Sequence, residues 1–116
     1  MFTEGKIYFR EDVVSTELEL MLIKTINVDF VVLDSLIVDD YGEGILMQED
    51  DTIYRENFDE IYKIDDYMVT SITEKEFNEL YSELLEFEHI AITQGFDECF
   101  VAQKERLKNF INQYNL

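Results

Sequence analysis

Apolar residues along this chain change their period near Thr73. Before that point they come in short runs with a two-residue repeat. Residues 6–10 alternate Ile7 and Phe9 against Lys6, Tyr8 and Arg10, the pattern of a half-buried strand. Residues 30–38 are rich in Val, Leu and Ile, with only Asp34 and Ser35 interrupting, and read as a central strand. Residues 39–44 (Asp39, Asp40, Tyr41, Gly42, Glu43, Gly44) read as a turn, since glycine tolerates positive φ and Asp side chains bond nearby amides. A hairpin is then predicted, 45–48 against 52–55 across Glu49, Asp50 and Asp51, followed by strands at 61–64 and 67–72 separated by Asp65 and Asp66. Residues 15–26 carry two patterns. Leu18, Leu22 and Ile26 have helical spacing, while Glu17 and Glu19 flank alternating leucines. Thr16 followed by Glu19 matches a capping box and favours a short helix.

Beyond Thr73 the period is helical. Thr73 and Glu76 form a Thr-x-x-Glu capping box, and Phe77, Leu80, Tyr81, Leu84, Phe87 and Ala91 follow at spacings of three and four, predicting one amphipathic helix of about five turns. Gly95 reads as its stop and Asp97 as the next N-cap, with Phe96 and Val101 placed as a hydrophobic staple. Phe100, Leu107, Phe110, Ile111 and Tyr114 mark the apolar side of a second helix. The predicted fold is α+β: an N-terminal antiparallel sheet or small β-barrel of five or six strands over 1–72, packed by a C-terminal helical hairpin over 73–116. No proline, repeat or Gly/Ser-rich linker breaks the chain, so residues 1–116 are expected to form a single domain.

Charge alters this otherwise ordinary picture. The chain holds 27 Asp and Glu against 9 Lys and Arg, a formal net charge of -18, and yet is 47% hydrophobic. So much apolar surface takes it out of the disordered class and puts the charge on a folded surface. That surface would repel nucleic acid and anionic lipid, because binding to both depends on Lys and Arg. It also destabilises the compact state by self-repulsion and exceeds the magnitude of about 2 to 8 that suffices for solubility. One Cys and one His supply neither a disulfide nor a zinc ligand set. With no leader-like start and no long apolar run, a cytoplasmic protein of a bacterial host cell is expected, with no cofactor and no metal.

Within that charge one arrangement stands out. Glu76, Glu79, Glu83 and Glu86 fall within an arc of about 80° opposite the apolar stripe, and their axial steps of about 4.5 to 6 Å are comparable with phosphate spacing. A plain solvated helix face gives the same pattern, with Lys75 as the nearby cation. Asp39, Asp40, Glu49, Asp50, Asp51, Asp65 and Asp66, at the predicted strand ends, extend the negative surface, although turn chemistry also accounts for them. They lack the order of ligands in an EF-hand calcium loop. His89 has no adjacent nucleophile, and carboxylates around Cys99 would raise its pKa, so catalysis is not expected. Tyr41, Tyr54, Tyr62 and Tyr67, near acidic turns, fit anchors of a protein interface or partly buried sheet-edge residues.

The function expected is that of a small acidic inhibitor. It would mimic nucleic-acid charge and occupy the basic groove of a nucleic-acid-binding protein, such as a nuclease or a CRISPR or restriction effector. In size and composition alone the chain resembles phage anti-CRISPR and anti-restriction proteins and nuclease immunity proteins. The alternative is a non-catalytic structural or adaptor domain of a phage or bacterial assembly whose acidity serves solubility. A small carboxylate-pair enzyme ranks last, since a catalytic pair needs one member in an apolar environment and no pair can be picked from 27 acidic residues without a pocket.

Overall fold

The computed structural model describes residues 1–39 and 44–116. Five strands form one antiparallel sheet: β1 (Ile7–Glu11), β2 (Leu18–Ile26), β3 (Phe30–Asp39), β4 (Gly44–Tyr54) and β5 (Met68–Val69), in the order β4-β3-β2-β1-β5. Four helices accompany them: α1 (Arg55–Ile61), α2 (Glu74–Glu86), α3 (Glu88–Gln94) and α4 (Phe96–Gln113). The α+β class predicted from the change of period is therefore the one observed. The sheet is open, with β4 and β5 at its edges, so it is not a barrel.

Because side chains alternate across a strand, the sheet has two faces, and both are covered. On the first, Ile7, Phe9, Leu20, Leu22, Leu36 and Val38 pack beneath Phe77, Leu80 and Leu84 of α2 and Leu107, Phe110 and Ile111 of α4. On the second, Tyr8, Met21, Ile23, Val31 and Leu33 pack beneath Phe2 and Phe58, with Tyr62, Ile64 and Tyr67 around them. Each fully buried aliphatic side chain contributes about 1.5 to 3 kcal/mol, so these two layers hold the fold against its self-repulsion.

Burial on both sides explains the first correction. The segment 15–26, expected as a short helix, is largely strand β2, paired with β3 from Leu18 to Ile26 and with β1 over Leu18–Leu22. Leu18, Leu20 and Leu22 face one layer while Met21 and Ile23 face the other, so the run reads as apolar at every period. Thr16 has φ 59, incompatible with the extended N-cap that a helix would need, and lies in the β1–β2 connection, where Asp12 Oδ1 accepts from the amides of Val14 and Ser15.

The hairpin expected across Glu49–Asp51 is likewise absent. Residues 45–54 form a single strand paired with β3 on both sides of a bulge, where Leu33 faces Asp51 and Ser35 faces Gln48. Asp50 takes up the extra residue at φ 55, and its amide donates to Asp34 Oδ1 at 2.8 Å. Ten residues of β3 offer a ladder along all of β4, and that pairing outcompetes a local turn. The predicted turn over 39–44 falls mostly on residues 40–43, outside those described. The strand expected at 61–64 is instead the end of α1 and the start of a short 3-10 helix, Ile64–Asp66, and the one expected at 67–72 reduces to the two residues of β5. Helix α1 was not anticipated at all. Its buried Phe58 lies four residues before Tyr62, and the two rings stack at 4.9 Å, a helical spacing hidden among acidic residues.

In the helical layer, Thr73 caps α2 as predicted: its side chain accepts from the Glu76 amide, and Glu76 accepts from the Thr73 amide at 3.0 Å. The single five-turn helix, however, breaks at Phe87. Across this break the Cys99 thiol donates to the Phe87 carbonyl, and Gln103 donates to the Leu84 carbonyl at 2.9 Å. Partner numbers fall along α2 as they rise along α4, so the two helices run antiparallel and form the expected helical hairpin. Gly95, with φ 105, ends α3 as predicted and also serves as the N-cap of α4, so Asp97 lies inside the first turn. That shift removes the staple, leaving Phe96 stacked on Phe100 and both Phe96 and Val101 exposed.

Candidate interaction surface

Helix α2 turns Phe77, Leu80 and Leu84 into the core, which sets its acidic residues toward solvent. The four expected ridge residues share this helix but differ in their surroundings. Glu76 is engaged in the capping box. Glu79 lies 3.9 Å from Lys75, an exposed pair that contributes little. Glu83 accepts a two-pronged contact from Arg106 of α4, at 2.8 and 3.0 Å, and these hydrogen bonds hold its carboxyl below the ordinary range. Glu86 is exposed. A shallow hollow of about 640 Å³ runs beside Glu79, Glu83 and Glu86.

Two acidic residues of β4 join this side of the molecule. Lys24 bridges Asp34 and Asp50, and the Tyr81 phenol on α2 is pushed up first by burial and then by Glu49, Asp34, Asp50 and Glu88. Glu49 and Asp50 therefore share an electrostatic neighbourhood with the helical layer. Asp51 acts across the sheet, raising the Tyr62 phenol. Asp65 and Asp66 sit on the 3-10 helix beside Ile64, which packs on the second face, away from the ridge. Asp39 closes β3, and Asp40 lies outside the described residues.

Beneath the second face is a charge cluster that no local pattern announced. Glu19 is 3% exposed, accepts from Arg10 at 3.4 Å and takes the Tyr67 hydroxyl, while Arg10 also reaches Glu17. Burial opposes the charge on Arg10, yet Glu19 and Glu17 hold its pKa above the ordinary value. Tyr62 and Tyr67 are half-buried here, as a sheet-edge role predicted, whereas Tyr54 is 71% exposed and Tyr41 falls outside the described residues.

No described group of three or more His, Cys, Asp or Glu could hold a metal ion. Cys99 is buried, and His89 is an exposed residue whose Nδ1 lies against the Glu86 carbonyl. No helix among the described residues is long and apolar enough to cross a membrane. The structure also assembles something the sequence reading missed: an apolar groove of about 590 Å³ between β4 and the α3–α4 pair, reached by Ile92 and Phe96. Ile92 lies next to Ala91 but off the predicted stripe, and that offset was its one signal. No family model, curated protein or solved structure matches this chain.

Proposed function

We propose that this chain is an acidic inhibitor that occupies the basic groove of a nucleic-acid-binding protein and competes with DNA or RNA for it. One observation carries the reading: Glu49 and Asp50 of β4, Asp34 of β3 and Glu88 of α3 all act on Tyr81 of α2, the helix that also bears the acidic row. Lys24, Lys75 and Arg106 are among the cations paired with carboxylates on this side. A negative field of this kind steers a basic partner, and pairing with its Arg and Lys then slows release. The partner class would be a nuclease or a CRISPR or restriction effector, met in a bacterial cytoplasm.

Capture from a bacterial lysate tests this, using the native chain beside Glu79→Lys/Glu86→Lys. The expected result is that captured proteins lose duplex DNA or RNA as the chain is added, and that the reversed variant captures about tenfold less. Captured proteins that keep their nucleic acid, or equal capture by both chains, would overturn it. A second reading, an adaptor domain whose acidity serves solubility, is favoured by the carboxylates on the other face: Glu56, Asp59, Glu60, Asp65 and Asp66 are all exposed. In that case the captured partners bind no nucleic acid.

A further inference from the structure

Outside the acidic row, the most unusual surface is the groove between edge strand β4 and the α3–α4 pair. Ile45 and Met47 form one wall, Ala91 and Ile92 the other, and Phe96 and Phe100 stack at its end with ring centroids 6.3 Å apart. Ile92 is 88% exposed and Phe96 70%, although both sit on ordered helices where a polar residue would serve solubility better. Exposed apolar side chains of this size, gathered around a concavity, are how hot-spot anchors look before a partner covers them.

The occupant follows from charge and backbone. Among the described residues Glu88 is the charged side chain that lines the groove and no Lys or Arg does, while Asp97 and Glu98, on other faces of the first turn of α4, keep the field around it negative. A second copy would bring the same acidic rim and a further charge of -18 against it. An added β-strand along β4 would meet the bulge at Asp50, which interrupts the regular ladder such pairing needs. We infer that this groove docks a basic amphipathic helix, whose apolar side chains at helical spacing fill it while flanking Lys or Arg meet the acidic rim. This inference concerns a contact surface separate from the α2 row and does not require that the partner bind nucleic acid.

A labelled leucine–lysine amphipathic peptide of about four helical turns serves as the probe, with a leucine–glutamate counterpart as control. Fluorescence anisotropy at about 0.15 M salt measures affinity, and amide chemical shifts of the native chain map the contact. Shift changes are expected at Ile45, Met47, Ile92, Phe96 and Phe100. Ile92→Ser/Phe96→Ser, at exposed positions, should weaken binding about tenfold, while Glu79→Lys/Glu86→Lys changes it less than about threefold. The leucine–glutamate peptide should not bind. Shift changes confined to α2, or equal affinity of the serine variant, would overturn the inference and leave only charge attraction to the ridge, a result separate from the fate of the inhibitor reading. Comparable binding of both peptides would remove the basic partner. A dimer at low concentration that the serine variant abolishes would assign the groove to a second copy.

Discussion

At the scale of single residues, the cluster of Arg10, Glu19 and Tyr67 is the most consequential, because it places a charge where water does not reach. Removing a partner from a buried ion pair leaves the other charge uncompensated, so Arg10→Ala is expected to lose about 3 kcal/mol in urea denaturation at neutral pH. Tyr67→Phe, which deletes one donor to the carboxylate, should lose about 2 kcal/mol. A loss below about 0.5 kcal/mol for both would mean that Glu19 is hydrated. The same residues set an alkaline response. Burial pushes the Tyr62 phenol up to about 12, with Glu19 and Asp51 adding to the effect, and burial together with Glu19 pushes Tyr67 up as well. A folded pKa above the unfolded value stabilises fully below the unfolded one and ceases to as pH rises through the folded one. Stability should therefore begin to fall above the ordinary tyrosine value of about 10. Tyr62→Phe/Tyr67→Phe should flatten that fall, and tyrosinate absorbance of the native chain should show a late-titrating fraction. Complete ionisation in one step near pH 10 would contradict it.

Among the elements, two junctions do most to place the helical layer. The Thr73 and Glu76 box starts α2 and thereby orients both the buried stripe and the acidic row. Thr73→Ala should cost about 1 kcal/mol, read from the midpoint of denaturation, with Thr73→Ser retaining most of it. The second junction is the close approach of Gly44 to α4. A Cβ built at Gly44 would stand 2.6 Å from the Phe100 Cβ, at a φ of 142 that L side chains rarely adopt. Gly44→Ala is expected to lose about 1 to 3 kcal/mol and to disturb the groove wall at Phe100. Gly5→Ala, where a Cβ would meet nothing within 4 Å, is a control for the backbone contribution alone. Equal losses at the two glycines would show that Phe100 moves aside freely.

For the whole molecule, the net charge of -18 competes with the ion pairs that relieve it. All three arginines are paired with carboxylates, but most of the pairs are partly exposed and individually weak. Self-repulsion should therefore dominate, and raising salt from about 0.05 to 0.5 M should raise the melting temperature by screening it. A melting temperature that fell with added salt would show that attraction within the pairs outweighs repulsion between them. The charge-reversed variant Glu79→Lys/Glu86→Lys should melt no lower than the native chain, since it lowers the net charge and touches no buried group.

Some of this architecture is written in residues a few positions apart. The change of period at Thr73, the capping box and the glycine stop at Gly95 were all readable in the sequence, because their hydrogen bonds and steric demands close within one turn of chain. The strand at 6–10 and the core of 30–38 were readable for the same reason: alternation or continuous hydrophobicity follows from strand geometry itself. Residues 15–26 and 45–54 were not, since a run apolar on both sides satisfies helix and strand alike, and a triplet of acidic residues suits a turn as well as a bulge. Only pairing with β1 and β3 decided them. The surface followed the same division: the sequence alone determined that the α2 carboxylates share a face, a matter of helical pitch. Tertiary packing decided that Arg106, 23 residues away, takes Glu83, that Lys24 and Tyr81 meet the acidic bulge, and that Ile92 and Phe96 border an apolar groove. Those partners come from elements distant in the chain, and their meeting is set by how the helical hairpin lies on the sheet.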